Sequence, residues 1–290
     1  MLINEEKKFA VIGSPIEHSF SPDIHLPVLR QFCRKVSYEK VRVEPNELSD
    51  WISRVRREKV NGFNITMPHK RAVIPFLDEV QLDAQIFQAV NTVVNREGKL
   101  YGYNTDGKGL SLSLKRKSFE FKNSKILLFG AGDVAGTIAL QAAIEGARQI
   151  VILGRTPIKA KKICEKVRKY YPKTPVCYGG LDEKEKFIKT TDIFINATPL
   201  GMKGFAVDFR DLSFLQKNSK EILVCDLIYN PPETSLLEES RKNGFKTLNG
   251  LGMLIYQGLL ADQLFLNVEF NIEMMYHTVA NVLEGKVNPL

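Results

Sequence analysis

Cysteine is scarce in this 290-residue chain, and its placement excludes two classes of protein at once. Cys33, Cys164, Cys177 and Cys225 lie far apart and form no C-x-x-C pair. Neither a disulfide framework nor a cysteine-held metal is expected, and the four read as small buried hydrophobes. Histidine is equally thin. His18, His25, His69 and His277 show no H-E-x-x-H or comparable ligand spacing, so no metal is expected. No uninterrupted apolar stretch approaches the roughly 20 residues that a membrane helix needs, which argues against a membrane partner. The opening MLINEEKKFAVIG places two acids and two lysines before its first short apolar run. That is not the pattern of a secretory signal, and a cytoplasmic location is expected. Internal repeats and low-complexity tracts are also missing.

What is present points to a packed soluble fold. The chain is 44% hydrophobic and 26% charged, and its length suits two domains or one large one. The net charge is +8, and RTPIKAKKICEKVRKYYPK (155–173) alone holds eight Lys/Arg against one Glu. No helix-turn-helix, zinc finger or aromatic-interleaved RNA motif accompanies that charge. A solvated helix face accounts for it, and no nucleic-acid partner is expected.

Strand and helix patterns alternate. Residues 8–13 read as a strand, 22–35 as a helix, 37–43 as a strand, 46–58 as a helix and 60–66 as a strand. NTVVNREGKLYGYN (91–104) reads as a hairpin turning at Asn95–Gly98. A polar loop is expected around 107–124. A second series of Val/Ile/Leu-rich strands follows, at 126–130, 150–154, 174–179, 192–197 and 221–228, and its last strand ends near 246–250. Such near-continuous apolar strands, alternating with helices, argue for parallel sheets covered on both faces. The last forty residues carry helical spacing. The expected fold class is α/β with two domains. An N-terminal α/β substrate domain (1–106) is completed by C-terminal helices (250–290), and a Rossmann-type dinucleotide-binding domain (107–249) is inserted between them.

The inserted region opens with ILLFGAGDVAG. Gly130, Ala131 and Gly132, followed by Ala135, fit G-x-G-x-x-G/A after a buried strand and at the start of a helix. That turn brings backbone N–H groups and a helix N-terminus to a pyrophosphate. At the end of the next strand an NAD site wants an acid for the ribose hydroxyls. This chain has Gly154, Arg155 and Thr156 there, with Lys159 one turn on. A guanidinium and an ammonium suit a 2′-phosphate, so NADP is the expected cofactor.

Polar residues beyond the needs of turns cluster in the first region. SPIEHSFSP supplies the hydroxyls of Ser19 and Ser21, AVNTV supplies Asn91 and Thr92, and GYNTDG supplies Asn104, Thr105 and Asp106. NGFNITMPHK raises a further point. Pro68 favours a first helical turn, which puts Lys70 against the positive end of the helix dipole. A cation so placed suggests chemistry. SPIEHSFSPDIH, GFNITMPHK, AVNTV, GYNTDG, NATPLGM, DLIYNPPETSLL and NGLGMLIYQG together, in this order, closely resemble the shikimate dehydrogenases, from about Phe9 to the C-terminal helices.

The resemblance implies reversible NADPH-dependent reduction of 3-dehydroshikimate to shikimate, within aromatic amino-acid biosynthesis. It implies Lys70 and Asp106 as the catalytic pair and Ser19 and Ser21 as the holders of the substrate carboxylate. Asn91, Thr66 and Gln257 would bind ring hydroxyls, Tyr229 would lie near the carboxylate and cofactor, and Gly252 near the nicotinamide. The partner is a small-molecule substrate, and the chain is expected to be a monomer or homodimer. A quinate/shikimate dehydrogenase using NAD is the neighbouring reading, which Arg155 and Lys159 oppose. A non-catalytic nucleotide-binding regulator is opposed by Lys70 and Asp106. Three positions depart from the family pattern: Asp133 in the glycine turn, Gly154 before Arg155, and Gly258 after Gln257.

Overall fold

A computed structural model of the chain describes residues 2–218 and 221–287. The chain folds as two compact units, one running to Asp106 and resuming at Ile255, the other spanning Gly107–Leu254. The first part of the chain contains β1 (Lys7–Gly13), α1 (Ser21–Phe32), β2 (Val36–Arg42), α2 (Leu48–Arg57), β3 (Gly62–Ile65) and α3 (His69–Ala72). β4 (Glu79–Val80), α4 (Leu82–Phe87), β5 (Thr92–Arg96), β6 (Lys99–Tyr103) and α5 (Asp106–Lys115) follow. Next come β7 (Lys125–Phe129), α6 (Asp133–Ile144), β8 (Gln149–Gly154), α7 (Pro157–Tyr170), β9 (Val176–Gly180), α8 (Lys184–Ile188), β10 (Ile193–Asn196) and β11 (Leu223–Asp226). The series ends with α9 (Ser235–Lys242), β12 (Lys246–Leu248), α10 (Leu251–Leu266) and α11 (Ile272–Val287). Among the described residues no helix is long and apolar enough to cross a membrane.

The first unit holds a mixed sheet in the order β2-β1-β3-β5-β6-β4. β1 runs parallel to both neighbours, while β3–β5 and β5–β6 are antiparallel. The hairpin breaks the parallel pattern because its turn is too short for a crossover. Glu97 (φ 54°) and Gly98 (φ 90°) form a two-residue loop with both residues left-handed, the twist that fits a tight hairpin. One face buries Ile12, Trp51, Val55, Phe63 and Val93, with Trp51 edge-on to Phe63 at 6.2 Å. Gly62 has no side chain because Phe265 of α10 occupies the space; a Cβ there would lie 2.6 Å from its ring.

The second unit holds a wholly parallel sheet, β12-β11-β10-β7-β8-β9. Read from the other edge, this is the doubly wound order, with the strand sequence reversing between β7 and β10. Phe129, Phe194 and Phe214 pack in its core, with Phe129 and Phe194 centred 4.8 Å apart. Cys33, Cys164 and Cys225 are buried and Cys177 half-buried, all as free thiols. Burial pushes the Cys164 thiol up to about 12.

Two local expectations change. The expected polar loop at 107–124 is in its first half a helix, α5. Its Leu110 and Leu114 are one turn apart and buried, and the serines between them hid that period. Around Lys70 the helix is a single turn, His69–Ala72, with Pro68 at its N-cap rather than inside it. One turn has little macrodipole, so the electrostatic objection to a lysine there is weak.

At the carboxyl ends of β10 and β11 a buried polar clamp joins two loops. Asp226 accepts from Asn196 Nδ2 (3.0 Å), the Ile228 N–H (3.1 Å) and the Thr234 hydroxyl (2.7 Å). Burial nevertheless raises its carboxyl from 3.8 to about 6. A group that holds its proton more tightly when folded contributes stability at low pH and loses it as pH rises from about 4 to about 6. Asp226→Asn keeps two acceptor bonds, and its amide can donate to the Thr234 oxygen. Relative to wild type, the variant should gain on the order of 1 kcal/mol per pH unit across that window. Urea unfolding of both proteins at about pH 4.5 and about pH 6.5 checks this; an unchanging difference would contradict it.

Candidate functional site

In the first unit the polar residues converge on one end of the sheet. β1 ends at Gly13, and a Cβ there would lie 2.4 Å from the Thr66 side chain, so glycine lets the end of β3 close over β1. The Thr66 N–H donates to Ile12 O (3.0 Å), and the Thr66 carbonyl accepts from the His69 N–H (3.0 Å). This places Lys70 one residue beyond. The loop after β1 delivers Ser19 and Ser21; the Ser19 hydroxyl lies 3.0 Å from that of Ser21 and accepts from the Ser21 N–H (3.2 Å). Antiparallel pairing returns the start of β5 and the end of β6 to the same place, with Thr92 opposite both Asn64 and Tyr103. Asn91 and Asp106 are therefore neighbours in space.

Lys70 Nζ donates to Asp106 Oδ2 at 2.6 Å, with the lysine side chain 19% and the aspartate side chain 8% exposed. The other carboxylate oxygen accepts from Asn91 Nδ2 at 2.8 Å. Asn91 Nδ2 also lies 2.9 Å from Thr105 Oγ1 and 3.4 Å from Gln257 Oε1, which brings α10 to the cluster. The Asp106 N–H donates to Asn104 Oδ1 (3.0 Å), an Asx turn that starts α5, and Asn104 is tied to Ala89 O (2.8 Å). A buried ion pair is tolerable when its remaining lone pairs are also satisfied, as here. What remains open is the lysine's accessible side. The arrangement can present a cation to a polar atom of a ligand while a fixed carboxylate orients that cation.

Two further polar residues, Tyr38 and Asn64, join this cluster although neither stands out in the sequence. The available signal was an asparagine inside the apolar run of β3. Asn196 and Asp226 in the second unit are inconspicuous for the same reason, since each closes a strand that reads as purely apolar.

In the second unit, Gly130 follows β7 with φ +111°, and a Cβ there would lie 2.7 Å from the Ala197 carbonyl. Gly132 is the N-cap of α6, and a Cβ there would meet nothing within 4 Å. The first glycine is thus demanded by the fold, whereas the second keeps open the space in front of a helix N-terminus. Ala131 packs beside Gly154, where a Cβ would lie 3.2 Å from its methyl, and Ala135 is fully buried in α6. Arg155, Thr156 and Lys159 are exposed at the end of β8 and the start of α7. These residues fit a dinucleotide: an open anion-reading turn, and cations beyond the second strand. Asp133 is the exposed first residue of α6, where it complements the helix dipole. Tyr229 is half-buried after β11, where burial raises its phenol, and Gly252 is buried in α10. Among the described residues no group of three His, Cys, Asp or Glu side chains could hold a metal ion.

Comparison with known proteins agrees with both halves. Residues 11–93 match the family model described as the shikimate dehydrogenase substrate binding domain, and residues 113–235 match that described as shikimate / quinate 5-dehydrogenase. The chain is 38% identical over 282 residues to a shikimate dehydrogenase (NADP(+)) of Alkaliphilus oremlandii, covering 96% of this chain and 98% of that one. A protein of the same description from Methanocaldococcus jannaschii is 39% identical over 283 residues, with 96% and 98% covered. Among solved structures, shikimate 5-dehydrogenase of Listeria monocytogenes in complex with shikimate and NAD superposes with TM-score 0.86 at 31% identity, covering 95% of this chain and 97% of that one. A two-domain α/β chain with a dinucleotide turn defines a class; the relatives narrow it. The chain belongs to the shikimate dehydrogenase family.

The glycines separate folding from binding. Gly130→Ala should lower stability by about 2 kcal/mol or more, through left-handed strain and contact with Ala197. Gly132→Ala should fold like wild type and yet bind the dinucleotide at least about tenfold more weakly, because its methyl enters the open space. Chemical unfolding and equilibrium titration with NADP measure the two effects, and equal loss of stability in both variants would refute the distinction.

Proposed function

We propose that the chain catalyses reversible NADPH-dependent reduction of 3-dehydroshikimate to shikimate in the shikimate pathway, with Lys70 and Asp106 as the catalytic pair. The observation that carries this reading is the 2.6 Å Lys70–Asp106 contact, with Asn91 on the second carboxylate oxygen, in a chain of this family.

When bound, the reduced nicotinamide supplies hydride to the carbonyl carbon. The protein's part concerns the oxygen. Negative charge develops there as the carbonyl is reduced, and the Lys70 ammonium stabilises it and delivers the proton. In the reverse direction Lys70 takes the hydroxyl proton. Asp106 fixes the ammonium's direction and balances its charge. Ser19 and Ser21 turn their hydroxyls to the substrate carboxylate, while Asn91, Thr66 and Gln257 bind ring hydroxyls and set which carbon faces the lysine. Tyr229, on the second unit, would lie near the cofactor.

For the cofactor, the N–H groups around Gly130, Ala131 and Gly132 would receive the pyrophosphate, with Ala135 permitting close packing of α6. Arg155, Thr156 and Lys159 would receive the 2′-phosphate, and Gly252 would lie beside the nicotinamide. NADP is favoured over NAD because the end of β8 offers cations and no acid to a ribose. Lys70 and Asp106 weigh against a non-catalytic regulator.

Lys70→Ala should lower turnover by about 10³ or more while shikimate still binds, because the serines and Asn91 remain. Lys70→Met, which keeps the stem without the charge, should do no better. A Lys70→Ala enzyme keeping more than about a tenth of wild-type turnover would remove lysine from the mechanism. Cofactor choice is tested separately. Arg155→Ala should raise the KM for NADP about tenfold or more and leave that for NAD little changed, the loss of a charge-assisted bond worth ~1.5–3 kcal/mol. Assays with shikimate or quinate, and NADP or NAD, in all four pairings distinguish the neighbouring reading. Faster turnover with quinate and NAD would displace the assignment.

A further inference from the structure

Six polar side chains of the first unit, Tyr38, Asn64, Asn91, Thr92, Thr105 and Asp106, are each more than nine-tenths buried. Five of them form a chain. The Tyr38 hydroxyl donates to Asn64 Oδ1 at 2.7 Å. Asn64 Nδ2 donates to Thr92 Oγ1 at 3.1 Å and to the Asn91 carbonyl at 3.3 Å. The Thr92 hydroxyl donates to Asn91 Oδ1 at 3.0 Å, and Asn91 Nδ2 donates to Asp106 Oδ1 at 2.8 Å.

Each direction is forced. Thr105 contributes a backbone N–H to Asn91 Oδ1 at 3.0 Å, and a backbone N–H can only donate, so the Asn91 amide must turn its nitrogen to Asp106. Thr92 has one hydroxyl hydrogen; it accepts from Asn64 and so gives that hydrogen to Asn91. Asn64 spends its nitrogen on Thr92 and the Asn91 carbonyl, which leaves its oxygen for the phenol. Burial, with the Asp262 charge, outweighs a hydrogen bond with the Ser21 side chain, pushes the Tyr38 phenol well above its ordinary range and keeps it a donor. Its ring is held by stacking on His25, 4.5 Å away and 10° from parallel, and His25 is anchored to Asp262 at 2.7 Å.

The sheet does not need these side chains. Asn64 and Thr92 face each other across the β3–β5 ladder, whose flanking backbone bonds, such as Ile65 N–H to Asn91 O at 2.9 Å, hold it without them, and apolar residues at such positions would avoid desolvating several polar groups. A chain of aligned donors does, however, polarise its last member, and it ends on a carboxylate. We propose that Tyr38, Asn64 and Thr92 are positioning residues, which through Asn91 fix the direction of Asp106 and so the geometry of Lys70. This rests on the reading of Lys70 and Asp106 as the catalytic pair.

The test compares Thr92→Val, which keeps the shape and removes the hydroxyl, with Thr92→Ser, which keeps the hydroxyl, and with Tyr38→Phe. Each is measured for kcat and KM with shikimate and NADP, for shikimate affinity by calorimetry and for melting temperature; Lys70→Ala serves as the control. Thr92→Val should lose about tenfold in kcat while shikimate affinity changes less than about threefold; Tyr38→Phe, which also removes the phenol oxygen bonded to the Ser21 side chain, should lose about tenfold in kcat; and Thr92→Ser should stay within about twofold of wild type. Positioning is overturned by Thr92→Val within about twofold of wild-type kcat, or by Thr92→Ser falling as far as Thr92→Val. Should Thr92→Val fail to fold, Tyr38→Phe is judged by the same kcat threshold. An active Lys70→Ala enzyme would instead mean that the catalytic pair itself is wrong, so the two failures are distinguishable.

Discussion

An ammonium 2.6 Å from a carboxylate, both largely withdrawn from water, is the constraint that the first unit is arranged around. Taking two charges out of water costs several kcal/mol per ion, and attraction alone seldom offsets that. The remainder must come from hydrogen bonds that satisfy what the pair leaves over. Asn91 takes the second carboxylate oxygen, the Asn104 turn sets the start of α5, and the Lys70 carbonyl accepts from the Val90 N–H at 2.8 Å. The end of β3, the open end of the β5–β6 hairpin and Asp106 are thereby fixed to one another. Loosening one of them leaves a buried charge short of partners.

The second unit solves a different problem by the same placement. Its glycine turn lies just beyond the carboxyl end of a parallel strand, at the point where strand order reverses between β7 and β10. No buried charge pair is involved in its glycine turn. The turn works through what is missing, a Cβ at Gly130 that would strike Ala197 and another at Gly132 that would fill empty space. One glycine is demanded by the fold and the other leaves space open before a helix, a difference invisible in the string GAG.

Much of this was legible in the sequence, and the rest was hidden for identifiable reasons. The Val/Ile/Leu runs of β7, β8 and β10 could only be buried strands, and β5 and β6 announced a hairpin through alternation and a Gly98 turn. α5 reads as a loop because its serines at 111 and 113 are buried, contrary to their usual habit. Met67-Pro68 suggests a full helix where one turn exists. Within the candidate site, Lys70, Asp106 and Asn91 stand out as polar residues at element ends, and the structure brings them together with Gln257. Tyr38 and Asn64 do not, because they sit inside β2 and β3 and not at element ends, and they meet their partners only through β-sheet pairing. A side chain's polarity can be read from one position; its hydrogen-bond direction needs all of its neighbours.

The hairpin has an evolutionary corollary. Asn91 and Asp106 flank its open end, closed by the pair Thr92–Tyr103, whereas its turn at Glu97–Gly98 lies at the opposite end. Lengthening the hairpin by whole two-residue repeats on each strand, or enlarging its turn, leaves the facing of the open end unchanged. The chain can therefore acquire insertions at that tip, and with them new surface, without disturbing the spacing of the two residues that hold the ion pair.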